Sequence, residues 1–161
     1  MSSHTRITVE VQGDHIQRQT RAKPVQALAE LVWNAVDGDA KKVVIEFDRG
    51  DLAGGLTKIA IYDDGDGFSH AHANEYFAAL GGSWKRQTRQ TKSGREVHGQ
   101  EGRGRYKALA LGDMATWQVC YEEDGKHYAY EIKMEANDIR GVQISEPVSV
   151  EGRPTGVTMV I

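Results

Sequence analysis

The chain has one cysteine, Cys120, so no intrachain disulfide can staple it; the alternating stretch around that residue suits a small half-buried thiol. No apolar run approaches the ~20 residues a helix needs to cross a bilayer. The opening residues Met1, Ser2, Ser3 and His4 lack the apolar centre of a secretory leader. Internal repeats and low-complexity tracts are also missing, which excludes repeat arrays. Neither sign of charge dominates: 20 Lys and Arg against 23 Asp and Glu leave a net charge of −3. The overall balance therefore demands neither nucleic acid nor an anionic membrane as partner. A cytoplasmic, reducing setting is the resulting expectation, and 161 residues suit one domain with one core.

What is present reads as alternating strands with a few helices between them. Residues 7–11 alternate like a strand. From Pro24, which suits a first helical turn, apolar Val25, Leu28, Leu31, Val32, Ala35 and Val36 recur at helical spacing until Gly38 closes the run. Residues 43–47 and 59–62 predict two strands joined through the Gly54-Gly55 turn, and 72–80 a short helix. Residues 83–98 are polar, basic and aperiodic, and read as a mobile loop. A helix is expected just after the glycines of 99–104, then strands over 114–121, 128–134, 142–144 and 157–161, with Asp124-Gly125 as a turn. This pattern predicts an α+β fold, a two-layer sandwich with helices on one face of a mixed sheet.

Three constellations carry chemistry. Glu30, Asn34 and Asp37 lie four and then three residues apart, on one face of the first helix. An exposed polar stripe is the plain alternative. Mg²⁺ takes oxygen ligands, and the Asn34 amide is one such; Glu30, one turn earlier, is placed to accept a proton from water attacking a phosphorus, a role worth roughly 10²–10⁴ in rate. The second constellation is Asp63-Asp64-Gly65-Asp66-Gly67, after an apolar strand. An acidic turn is the simple reading, and a calcium loop fails on spacing, since its first and twelfth positions would be Tyr62 and Ala73. A strand-end carboxylate can instead accept a hydrogen bond from an exocyclic amine, with glycines letting a flat base approach the backbone.

The third constellation is Gly99-Gln100-Glu101-Gly102-Arg103-Gly104. It lacks the dinucleotide-fold spacing and misses the P-loop, because Arg105-Tyr106 stands where Lys and then Ser or Thr are required. Backbone N–H groups ahead of a helix still suit a phosphate, with Gly99, Gly102, Arg103, Gly104 and Arg105 as candidate contacts. Nearby Lys85, Arg86, Arg89, Lys92 and Arg95 read as a solvated loop, some of them touching phosphates on closure, and Lys107 adds a further basic residue after the glycines. His70 and His72 lack further ligands at suitable spacing and read as surface residues, not a zinc site.

Taken in order, Glu30-x-x-x-Asn34-Ala35-x-Asp37, Asp63-x-Gly65-x-Gly67 and Gly99-x-x-Gly102-x-Gly104 resemble the motifs of the GHKL superfamily. Its members include DNA gyrase, the ninety-kilodalton heat-shock chaperones, MutL and MORC proteins and sensor histidine kinases. The resemblance covers most of the chain and is nearest in style to the chaperone and MORC branch. It implies the Bergerat fold, with ATP and Mg²⁺ as cofactors: Glu30 as base, Asn34 as magnesium ligand, Asp63 on adenine, Gly65, Gly67, Gly102 and Gly104 as cradle, and Asp37 supporting its helix. It also implies an ATP lid over 69–98 and slow hydrolysis driving closure of a homodimeric clamp. The chain would then be the N-terminal part of a longer protein, with a nucleic acid or client protein as further partner. A nucleotide-gated interaction module and a kinase-like phosphotransfer domain are the alternatives. The family's fourth motif has Gly-Thr before the last strand. Here Thr155-Gly156-Val157-Thr158 leaves both threonines open, with Thr158 the working choice.

Overall fold

The computed structural model describes residues 22–51, 54–78, 90–97 and 104–161. The strand expected at 7–11, and the contacts expected of Gly99, Gly102 and Arg103, lie outside the described residues. Helix α1 spans Pro24–Asp37 and starts as expected, with Pro24 in its first turn, where no intrahelical N–H is needed. Its residues Ala27, Leu31 and Ala35, each one turn on from the last, are buried. Strands β1 (Val43–Arg49) and β2 (Leu56–Asp63) follow, then α2 (His70–Ala78) and a 3₁₀ segment, Gly104–Ala110. The chain ends in β3 (Met114–Glu123), β4 (Lys126–Glu135), β5 (Asp138–Ile144), β6 (Val148–Val150) and β7 (Gly156–Val160). β6 is a short strand that the sequence pattern did not suggest, and the segment after the glycines is 3₁₀ rather than α-helical.

The strands form one sheet in the order β1-β2-β7-β3-β4-β5, with β6 on β4, and all these pairings are antiparallel. Register makes the core. Ile45, Ile61, Met159, Trp117, Ile132 and Ile144 are direct neighbours across six strands, an apolar row on one face of the sheet. Leu31 of α1, Ala73 and Phe77 of α2, and Tyr106 and Ala108 of the 3₁₀ segment pack into the same cluster. The result is the α+β two-layer sandwich expected from the sequence. A slip of one residue would turn this row to the other face, so burial fixes the register. At the β3–β4 turn, Asp124 and Gly125 both take positive φ, 51° and 73°, the combination that suits the twist of a two-residue hairpin.

Candidate functional site

Asp63 ends β2 on the helix-facing side of the sheet, two residues beyond buried Ile61. Its Oδ1 accepts the backbone N–H groups of Gly65, at 3.0 Å, and Val157, at 3.2 Å. Among the described residues no hydrogen bond reaches Oδ2, so one oxygen is anchored while the other can receive an N–H donor. Burial pushes the Asp63 carboxyl above its ordinary value, and the two amides pull against that rise. Behind it, Gly156 sits at φ 141°, and a Cβ there would run into the Asp63 carbonyl oxygen. The turn at β7 can therefore lie directly on the end of β2.

The loop after Asp63 meets the end of α1. A Cβ on Gly65 would stand 2.5 Å from the carbonyl oxygen of Gly38, so the two backbones touch without an intervening side chain. The same Gly38 oxygen accepts the Asp66 N–H at 2.9 Å. Asp64 Oδ1 accepts the N–H groups of Lys42 and Lys41, each at 2.7 Å, and these bonds hold its carboxyl below the usual range. Along α1, Glu30 is exposed, Asn34 half-buried and Asp37 buried at 4 % exposure. The 3₁₀ segment that Gly104 opens packs against α1; the Arg105 side chain lies outside the described residues. The loop after Asp63 thus touches the residue that follows α1, and the 3₁₀ segment packs on the same helix.

The family model for histidine kinase-, DNA gyrase B- and HSP90-like ATPases matches residues 22–154. The chain belongs to this ATPase family. ATP binding is accordingly its property at the level of the family. Over 69 residues, 40% of the chain, it is 35% identical to the DNA mismatch repair protein MutL of Halalkalibacterium halodurans. Over 51 residues, 32% of the chain, it is 39% identical to the MutL protein of Dictyoglomus turgidum. The matched segments cover 10% and 8% of those relatives' own lengths, so the chain spans a small part of each.

Two expectations for this ATPase domain change with the structure. Thr158 pairs with Tyr62 and Gln118, both exposed, and strand alternation puts it on the sheet face opposite Asp63. It does not reach the Asp63 carboxylate; the group that does is the backbone N–H of its neighbour Val157. The second change concerns the loop. Its described part, residues 90–97, is tied down by a Gln90–Glu96 bridge and by bonds to the segment after α1. Lys92 pairs with Asp66 at 2.8 Å, and Arg95 with Asp39 at 3.3 Å.

Sequence reasoning passed over Asp64, Val157 and Tyr130. The Tyr130 hydroxyl, whose titration burial pushes upward, donates to the Phe68 carbonyl at 2.9 Å and so holds the exit of the Asp63 loop. Asp64 carried a faint signal, a second acidic residue in a glycine turn. Val157 carried none, because a backbone N–H has no residue signature.

Proposed function

We propose that this domain binds Mg-ATP at the junction of α1 and the Asp63 loop and hydrolyses it slowly to ADP and phosphate. The observation that carries the reading is the half-engaged Asp63 carboxylate: Oδ1 is fixed by two amides, and Oδ2 is left to accept the exocyclic amine of adenine. Gly65 and Gly67 let the Asp63 loop lie against the Gly38 and Cys120 backbones, where a Cβ would collide, and so support the setting of that carboxylate. The 3₁₀ segment that follows the glycine motif packs on α1, which supports a triphosphate side there. Mg²⁺ fits the donor chemistry, since Asn34 is a half-buried amide on the same helix, and when bound the ion would neutralise phosphate charge.

Glu30 is exposed on α1 one turn before Asn34, so packing of the core makes no use of its carboxylate. In the proposed reaction Glu30 takes a proton from water as the water oxygen bonds to the γ-phosphorus. The bond from that phosphorus to the bridging oxygen breaks, releasing ADP. Clamp closure of a homodimer, and action on nucleic acid or a client protein, belong to the longer protein that the short coverage of the MutL relatives suggests. Glu30→Ala tests the chemistry directly: calorimetry should give an ATP affinity within about threefold of the parent, and phosphate release should fall at least ~100-fold. Release at the parent rate would remove Glu30 from the base role.

A further inference from the structure

Helix α1 ends in a double backbone reversal. The N–H of Asp39 bonds the Val36 carbonyl at 3.1 Å, and the N–H of Ala40 bonds the Ala35 carbonyl at 3.2 Å. In this motif the residue at the Asp39 position takes left-handed backbone and is usually glycine. Here Asp39 takes φ 63°, while the adjacent Gly38 sits at an ordinary φ of −83°. The glycine is one residue early, and a side chain occupies the position where it is least welcome. Capping the helix does not explain that choice.

The Asp39 side chain does have a use. Its carboxylate accepts the Ser93 N–H at 3.1 Å, the Ser93 hydroxyl, and the Arg95 guanidinium at 3.3 Å. Arg95 also donates twice to the Ala40 carbonyl, at 3.1 Å from each terminal nitrogen. One residue before Ser93, Lys92 pairs with Asp66 of the adenine-side loop. The 90–97 turn is therefore strapped to both backbones that meet at Gly38 and Gly65, the pair that sets the Asp63 loop.

We propose that Asp39 is a positioning residue that latches the 90–97 turn over the nucleotide site, so that Ser93 and Arg95 slow nucleotide release. The proposal rests on the ATP-binding reading above. It puts the latch at the hinge between the first two motifs, where freeing the turn also loosens the Gly38–Gly65 contact. Arg95 is the strap's main anchor, and Lys92, solvated as the sequence suggested, adds an exposed ion pair to Asp66.

Asp39→Gly separates latch from fold, because glycine accepts left-handed backbone more readily than aspartate. The variant should stay folded and melt near the parent temperature, relief of the left-handed strain offsetting the bonds lost with the carboxylate. In the nucleotide-free protein, amide hydrogen exchange over 90–97 should quicken about tenfold, and a fluorescent ATP analogue should dissociate about tenfold faster with its association rate unchanged. Arg95→Ala should act on the same step, and the double variant should be no worse than either single one. Exchange or release at the parent rates in Asp39→Gly overturns the latch. A parent that fails to bind the analogue overturns the ATP reading and the latch together, whereas a binding parent with an unaltered variant overturns the latch alone.

Discussion

Asp63 shows how a single residue's burial, bonding and task pull against one another. Burial disfavours its charge, and two backbone N–H groups recover part of that cost by bonding Oδ1. A carboxyl whose folded value lies above its unfolded value makes the fold less stable as pH rises through that window, since the folded chain must then give up a proton it holds more firmly. Asp63→Asn keeps an Oδ1 acceptor for both amides and removes the charge. Its thermal midpoint at neutral pH should equal or exceed the parent's. Its Nδ2 would face the adenine amine donor to donor, so ATP affinity should drop roughly 10- to 100-fold, as expected for losing a charge-assisted hydrogen bond. Calorimetry beside a melting curve checks both halves; a variant that loses stability and keeps ATP affinity would contradict the assignment.

Among elements, α1 organises the site because its two ends do different work. Its buried face, Ala27, Leu31 and Ala35, puts Leu31 into the core cluster, and its C-terminal reversal delivers Gly38 to Gly65. Gly65→Ala should therefore act by displacing that reversal. We expect at least tenfold weaker ATP binding, with melting lowered by about 2–4 °C for each kcal/mol of strain in a domain near this size. An alanine variant with parental binding would show that the contact is loose. The helix and the central strands were legible because each buries a periodic face: α1 through residues 27, 31 and 35, β3 through 115, 117, 119 and 121. The Asp124-Gly125 turn was legible because few residue pairs suit its geometry. β6 was not, being three residues with little burial. The docking of residues 90–97 was hidden for a different reason. A polar, aperiodic stretch is held by long-range pairs to Asp39, Ala40 and Asp66, and local pattern carries no information about partners far along the chain. Thr158 was misplaced by the same kind of gap, because only the β2–β7 register tells which face it takes.

For the whole molecule, an apolar row of six neighbouring strand positions supports one layer of helices; the Asp63 loop meets the end of α1, and the 3₁₀ segment packs on the same helix. The sheet supplies a rigid floor, and the polar groups that would meet a nucleotide come from strand ends and loops, where binding groups are free of packing duties. Membership of the ATPase family agrees with that division of labour, and a shared fold does not by itself set the cellular task. The central claim is spatial: one triphosphate, its cation and its base lie among segments well separated in sequence. A crystal structure with a non-hydrolysable ATP analogue and Mg²⁺ tests it most directly. The account predicts the adenine amine within hydrogen-bond distance of Asp63 Oδ2 and the Asn34 side-chain oxygen in the Mg²⁺ coordination sphere. Adenine bound away from Asp63, or the cation held without Asn34, would contradict it.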